Sequence, residues 1–105
     1  MWVSAFTPDR AEPRLLVVLY MAEFYLPGGA DLAALAVRAR AGAEQMAASG
    51  AAVTFIQAIF VRADESCFAL YEAASGADVA GAGRSAGIVF DRVTAAERVT
   101  APDQR

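Results

Sequence analysis

The sequence contains no histidine, no lysine and no asparagine. Histidine has the side-chain pKa closest to neutrality and is the commonest nitrogen ligand for metals, so its absence removes the usual general base and imidazole metal ligand. All nine basic residues are arginine, and the chain is rich in alanine. This composition indicates a GC-rich bacterial coding sequence and carries no functional signal of its own.

Cysteine occurs once, at Cys67. A single cysteine cannot form a disulfide within the chain, and nothing here requires an oxidising compartment, so we expect a cytoplasmic protein. A reactive thiolate needs a nearby cation or a helix start, whereas Cys67 lies within a strand-like run beside Phe68. We therefore interpret Cys67 as a small buried hydrophobic residue, with a reactive thiol as the alternative.

The sequence also lacks a membrane-spanning run and a basic cluster. The apolar run at residues 15–22 is far too short to span a bilayer, and Asp9 and Glu12 do not suit the leader of a signal peptide. The formal net charge is −3 and the arginines are scattered, whereas nucleic-acid binding needs clustered positive charge. We expect neither a membrane nor a nucleic acid as a partner.

Hydrophobic periodicity predicts four strands and two helices in the order β-α-β-β-α-β. Asp31 and Ser75 stand at the starts of the helices and are of the types that cap a helix N-terminus. Gly50 and Gly87 follow the helices and are suited to terminate them. The predicted strands span residues 15–26, 53–61, 66–72 and 88–94, and the predicted helices span residues 31–49 and 75–86.

This order predicts an α+β ferredoxin-like plait, because right-handed crossovers place both helices on one face of a four-stranded antiparallel sheet. We expect the domain at residues 15–96. A flexible N-terminal arm at residues 1–14 is expected to precede it, and a polar C-terminal tail at residues 97–105 to follow it.

The strands are apolar on both sides, although two helices can cover only one face of the sheet. We expect the uncovered face to carry Met21, Tyr25, Phe55, Ile59 and Tyr71. A monomer would leave a large apolar patch in water, whereas burying apolar surface stabilises a protein by about 25 cal/mol per Å². The sequence therefore predicts a homodimer that packs sheet to sheet.

Polar residues on that same face are the candidate binding residues. Strand alternation predicts that Glu23, Tyr25, Gln57, Cys67 and Tyr71 share it. A desolvated carboxylate among apolar side chains can have a raised pKa and act as a base. The alternative is a dimer interface with a few polar atoms at its edge.

Glu72 ends the third predicted strand, three residues before Ser75. Its carboxylate can anchor the second helix through free amides or approach Arg84 or Arg92, and a ligand or metal contact is the alternative. The neighbouring hairpin tip at residues 64–65 is interpreted as solvated charge. The candidate ligand-binding residues are Glu23, Tyr25, Gln57, Tyr71 and Glu72, and no catalytic residue or metal ligand is assigned.

The segment SCFALYEAASGADVAGAGRSAGIVFDRV, at residues 66–93, resembles a small uncharacterised bacterial family. In that family a third strand ends in Tyr/Phe-Cys-x-x-x-Glu-Ala-Pro-Ser or a close variant, and a helix ending in Arg-Ala-Gly precedes Asp-x-Val or Asp-x-Ile. VTFIQAIFVRADESCF, at residues 53–68, and AEFYLPGGADLAALAVRARAGAEQM, at residues 22–46, extend the similarity. It implies a dimeric ferredoxin-like domain related to a nickel-binding protein that holds its metal with histidines and carboxylates.

The chain departs from the nickel-binding branch wherever that branch has histidine. Tyr25, Gln57, Gly83 and Ile88 occupy the matching positions. Because imidazole is the natural nitrogen ligand for nickel, we expect the metal site to be lost and no cofactor to be bound.

These observations favour a dimeric binding or accessory module for a small molecule at the sheet face or dimer interface. The alternative, from fold analogy, is a cofactor-independent enzyme, isomerase or monooxygenase-like, that uses Glu23 or Tyr25. The absence of histidine counts against catalysis. A degenerate family member kept for assembly with a partner chain is a third interpretation.

Overall fold

The computed structural model describes residues 17–102. Within them a short 3₁₀ turn at Pro27–Gly29 separates the first strand from the first helix. The predicted arm, residues 15 and 16 of the predicted first strand and residues 103–105 lie outside the described residues. The elements are β1 (Val18–Tyr25), α1 (Leu32–Ala48), β2 (Val53–Val61), β3 (Ser66–Ala73), α2 (Gly76–Ser85) and β4 (Arg92–Ala96).

The strands form one antiparallel sheet in the order β2-β3-β1-β4. β1 and β3 are central, and β2 and β4 are the edges. Both helices pack on the same face, where they enclose a single hydrophobic core with the sheet. The fold is therefore the expected α+β ferredoxin-like plait.

Local capping chemistry sets the helix ends where the sequence predicts them. The Asp31 carboxylate accepts a hydrogen bond from the Ala34 amide at 3.0 Å, and the Ser75 hydroxyl accepts one from the Asp78 amide at 3.1 Å. Both satisfy amides that the first turn of a helix leaves free. Gly50 and Gly87, with φ of 102° and 76°, end the helices in a conformation that favours glycine.

The core fills the space between the sheet and the helices. Along β3 every second residue is buried, and Cys67 and Tyr71 are completely so. Val79 of α2 is the third large side chain with no exposure. The centre of the Tyr71 ring lies 5.5 Å from that of Phe55 and 5.9 Å from that of Phe90. Both contacts are edge-on, an arrangement that aromatic pairs prefer. The interpretation of Cys67 as a buried hydrophobic residue is confirmed.

The predicted fourth strand is displaced. The segment at residues 88–90 is not strand, and β4 begins only at Arg92. The Ile88 amide donates to the Gly83 carbonyl at 2.8 Å, and the Phe90 ring lies where a Cβ on Gly83 would be, at 2.5 Å. The apolar side chains that mimic a strand in sequence pack against α2, so the segment docks on the helix before it reaches the sheet.

Three residues predicted on the uncovered face lie on the helix-covered face instead. Met21, Tyr25 and Ile59 are placed as predicted, but Phe55 and Tyr71 are opposite each other in register and both face the helices. Cys67 lies on that covered face as well. A bulge between Phe55 and Gln57 reverses the alternation within β2. β3 is apolar on both sides, so alternation alone does not indicate which side is covered.

No helix within residues 17–102 has both the length and the apolar character needed to cross a bilayer.

Candidate functional site

The sheet surface opposite the helices is called the open face here. Its members come from all four strands and are assigned by cross-strand register, since paired residues share a face. They are Leu19, Met21, Glu23 and Tyr25 of β1, Thr54, Gln57, Ile59 and Val61 of β2, Ser66, Phe68, Leu70 and Glu72 of β3, and Arg92, Thr94 and Ala96 of β4.

The centre of the open face is apolar. Met21 lies opposite Leu70, and Phe68 lies opposite Ile59, so large side chains are adjacent across the central strands and the β2 edge. Ile59 is 49 % exposed and Tyr25 is 59 % exposed. Neither helix covers this area, because both pack on the other side of the sheet.

Glu23 lies at the edge of this apolar centre, half-buried and opposite Arg92 in register. Its backbone carbonyl accepts from the Asp91 amide at 2.8 Å, and the Asp91 carboxylate accepts from the Tyr25 amide at 3.2 Å. The backbone is therefore fixed here. Within residues 17–102 the Glu23 carboxylate has no hydrogen bond or ion pair, so it is available to a ligand.

Tyr25 is held by Glu65, a residue interpreted as solvated from the sequence. The Tyr25 hydroxyl donates to Glu65 Oε1 at 3.0 Å, and the Gly28 amide donates to Glu65 Oε2 at 2.7 Å. The hydrogen bonds from the Gly28 amide and the Tyr25 hydroxyl lower the pKa of Glu65. The hydrogen bond that Glu65 accepts, together with its negative charge, raises the pKa of Tyr25. The carboxylate thus joins the hairpin tip to the turn after β1. No local signal reveals this contact, because its partners are distant in sequence.

Glu72 and Gln57 both lie on the open face, at its periphery, and this position was predicted for Gln57 only. Glu72 pairs with Arg98 at 3.6 Å between two exposed side chains, instead of with Arg84 or Arg92. An exposed pair of this kind contributes little to stability. Glu72 therefore remains accessible at this end of the sheet.

Tyr71 does not belong to the open face. Its side chain has no exposure, and its hydroxyl oxygen is buried without a hydrogen-bond partner in the described part of the chain. Burial, with a smaller effect of Cys67, raises the pKa of Tyr71 to about 12. Its proposed place beside Glu23 and Tyr25 is wrong, because the intervening sheet separates them.

A second feature lies on the helix side, between α1 and the edge strand β2. We call it the α1–β2 groove, and sequence reasoning missed it, because it depends on the distance between a helix and a strand. One cavity of about 360 Å³ adjoins two of about 250 and 200 Å³, and Arg40 and Phe55 line all three. The first is lined by Leu32, Leu35, Ala36, Arg40, Phe55, Ile56, Gln57, Ala58, Phe60 and Cys67.

Residues 17–102 contain no group of three histidine, cysteine, aspartate or glutamate side chains placed to hold a metal ion. The chain matches no family model, and it has no significant similarity to a curated protein or to a solved structure. The relation to a nickel-binding family therefore remains a hypothesis that rests on the motif at residues 66–93.

Proposed function

We propose that this chain is a homodimeric binding module that pairs two copies through the open face. The uncovered apolar centre of that face is the observation that carries the proposal. A two-layer plait buries one side of its sheet against helices, and the other side needs a cover if it is apolar. In this chain Met21, Phe68 and Leu70 form that other side.

The size of the open face limits the contact with a second copy. Four strands about 4.8 Å apart and at most about 25 Å long outline roughly 450 Å² per copy, or about 900 Å² in total, which is below the standard size and in the range of weak interfaces. The rim carries charges of both signs, since Glu23 and Arg92 are opposite each other in register. In a two-fold contact the negative charge of one copy can therefore lie near the positive charge of the other, so that like charges are not brought together.

The ligand of the module is proposed to be a small molecule at the edge of the paired faces. Glu23 offers an unpaired carboxylate beside apolar side chains, with Tyr25, Gln57 and Glu72 on the same surface. This arrangement suits a compound with an apolar body and a donor or cationic group. We further propose a cytoplasmic location, because the one cysteine is a buried free thiol.

The metal site of the related nickel-binding branch is proposed to be lost. The chain has no histidine, and the open-face carboxylates Glu23 and Glu72 lie on β1 and β3 without a third ligand beside them in the described residues. Carboxylates without imidazole favour hard cations over nickel.

The enzyme alternative has less support. A general base works best when its pKa lies near the operating pH. The pKa of Tyr25 is raised and that of Glu65 is lowered, so both shifts lead away from neutrality.

The mass of the particle in solution tests the pairing. Light scattering of the full chain is expected to give twice the 11.0 kDa of one copy. Leu70→Arg places a charge in the centre of the open face and is expected to give a monomer with an unchanged circular dichroism spectrum. Val89→Arg, at a site that is 82 % exposed outside the sheet, is the matched control and should remain dimeric.

Two outcomes would contradict the pairing. The first is a wild-type monomer at micromolar concentration. The second is a dimer that survives Leu70→Arg, which would place the contact elsewhere. If the wild type is monomeric and deletion of residues 1–16 makes it dimerise, the chain's own N-terminal segment is the cover.

A fragment screen followed by amide chemical shifts tests the ligand site separately. Hits are expected to shift the amides of Glu23, Tyr25 and Glu72, which lie outside the α1–β2 groove. Hits that shift only α1 would contradict an open-face ligand site, while the dimer mass would be unaffected.

A further inference from the structure

The α1–β2 groove combines a cavity of mixed polarity with an unpaired cation. Arg40 lies where the three cavities meet, and its guanidinium has no hydrogen bond or ion pair within residues 17–102. Arg38 donates to the Ala86 carbonyl and Arg62 stacks on the Phe60 ring, whereas the guanidinium of Arg84, exposed at the end of α2, is also without a partner in the described residues. Arg40 is exposed and differs from Arg84 in that it lines these cavities, so an anion bound in the groove would meet its charge.

One side of the 360 Å³ cavity is apolar and suited to hydrocarbon, whereas polar groups, among them those of Arg40 and Gln57, line the rest. Leu35 and Cys67, both buried, form its inner wall, and Leu32, Phe55 and Phe60 complete the apolar lining. Burial raises the pKa of the Cys67 thiol, so it stays neutral at physiological pH. The volume lies within the range of about 300–1,000 Å³ that is typical of small-ligand sites.

We propose that the groove binds a monocarboxylate with an apolar tail, whose tail occupies the 360 Å³ cavity and whose carboxylate is held by Arg40. A guanidinium can donate two parallel hydrogen bonds to a carboxylate, which positions the head group as well as attracting it. The tail contacts α1 on one side and β2 on the other. Burial of its methylene groups supplies the remaining affinity.

The inner end of the cavity makes the site selective for one carboxylate over two. A dicarboxylate of this length carries its second charge at the far end of the tail, beside Leu35 and Cys67. That charge would lose its water there without a cation to pair with. A dicarboxylate of the same length is therefore a weaker ligand than the monocarboxylate.

This site is independent of the proposed dimer, because the groove lies on the helix side of the sheet and the pairing uses the open face. The monomeric Leu70→Arg variant is expected to keep it. The two proposals therefore fail separately.

Titration of the ¹⁵N-labelled full chain with octanoate, followed by amide chemical shifts, tests the site. Saturable shifts are expected in α1 and β2, around Arg40 and Phe55. Octanol, which has the tail without the charge, and suberate, which has a second carboxylate, are expected to bind about tenfold more weakly.

Substitutions separate the two parts of the site. Arg40→Gln is expected to weaken octanoate about tenfold and to leave octanol unchanged, because it removes only the charge-assisted contact. Arg84→Gln, at the end of α2, removes the same charge elsewhere and should change neither. Ala58→Trp, at the lining of the cavity, should abolish binding of both compounds, with circular dichroism used to verify the fold.

Equal affinity for octanol and octanoate, or octanoate binding that survives Arg40→Gln, would overturn the proposal. The same holds if octanoate shifts only open-face amides such as those of Met21 and Leu70. An absence of saturable shifts in the wild type would also refute it. If amide shifts along β2 are accompanied by a rise in particle mass, the groove is instead a place where the edge strands of two copies pair.

Discussion

At the scale of single residues, the most unusual group in the described chain is the hydroxyl of Tyr71. It is buried between the sheet and the helices, and it has no hydrogen-bond partner in residues 17–102. Such a group loses its hydrogen bonds to water on folding and gains none within the protein in return. The ring contributes packing against Phe55 and Phe90, so the tyrosine is retained for its size while its oxygen is a cost.

Tyr71→Phe is therefore expected to raise the free energy of unfolding by about 1 kcal/mol, measured by urea denaturation. The control is Tyr25→Phe, which removes a hydroxyl that donates to Glu65 and should bring no gain. A loss of stability in Tyr71→Phe would mean that the buried hydroxyl has a partner.

The same variant has a pH signature. The pKa of Tyr71 is raised from 10.0 to about 12 in the folded chain, so an unfolded chain loses that proton more readily. Below pH 10 both states keep the proton of Tyr71, and ionisation has no effect on stability. As the pH rises from 10 to about 12 only the unfolded chain releases it, so the free energy of unfolding of the wild type falls. The stability of Tyr71→Phe should fall less steeply across this interval than that of the wild type.

At the scale of elements, α1 and α2 approach closely at Gly42. A Cβ added there would lie 2.5 Å from the Ala82 carbonyl oxygen and 2.9 Å from the Ala86 Cβ. The nearest of these atoms belongs to the backbone, so the helices would have to separate. At Gly76, the first residue of α2, the nearest atoms to an added Cβ are 3.6 Å away.

These two glycines predict opposite effects of one substitution. Gly42→Ala is expected to lower the free energy of unfolding by about 1–2 kcal/mol, because overpacking outweighs the gain in helix propensity. Gly76→Ala meets only ordinary contacts and should raise it by about 0.5–1 kcal/mol. Urea denaturation of both variants measures the difference. A stabilised Gly42→Ala would show that the two helices are farther apart than described.

At the scale of the whole molecule, the small size of the domain makes its uncovered face important. A chain of 105 residues buries only about two thirds of its surface on folding, so a second copy adds an appreciable share of the apolar burial. If two copies pair, only the folded state associates and the equilibrium depends on concentration.

The melting temperature of the wild type is therefore expected to rise with protein concentration, whereas that of Leu70→Arg should not. Differential scanning calorimetry over a hundredfold range of concentration measures both. A wild-type melting temperature that is constant over this range would count against the dimer.

The elements themselves could be read from the sequence because their causes are local. Asp31 and Ser75 cap the helices from within three residues, and the β-branched run at residues 53–61 coincides with β2. The order of these elements then leaves few topologies, since crossovers between parallel strands are right-handed.

The candidate site was predicted less completely, because its geometry depends on contacts between distant segments. The alternation in β1 placed Glu23 and Tyr25 correctly, whereas the bulge after Phe55 and the two-sided apolar character of β3 misplaced Phe55 and Tyr71. Glu65, which holds Tyr25, has no marker in the sequence.

The sequence alone determined the element types, their order and the apolar excess of the strands, since propensity, capping and periodicity act over a few residues. Only the tertiary structure decided which side of β3 the helices cover and where β4 begins. It alone also decided that Arg40 stands unpaired beside the cavity of the α1–β2 groove. The physical reason is that interactions within a few residues favour either side of β3 about equally. Contacts between segments distant in sequence then decide which arrangement forms.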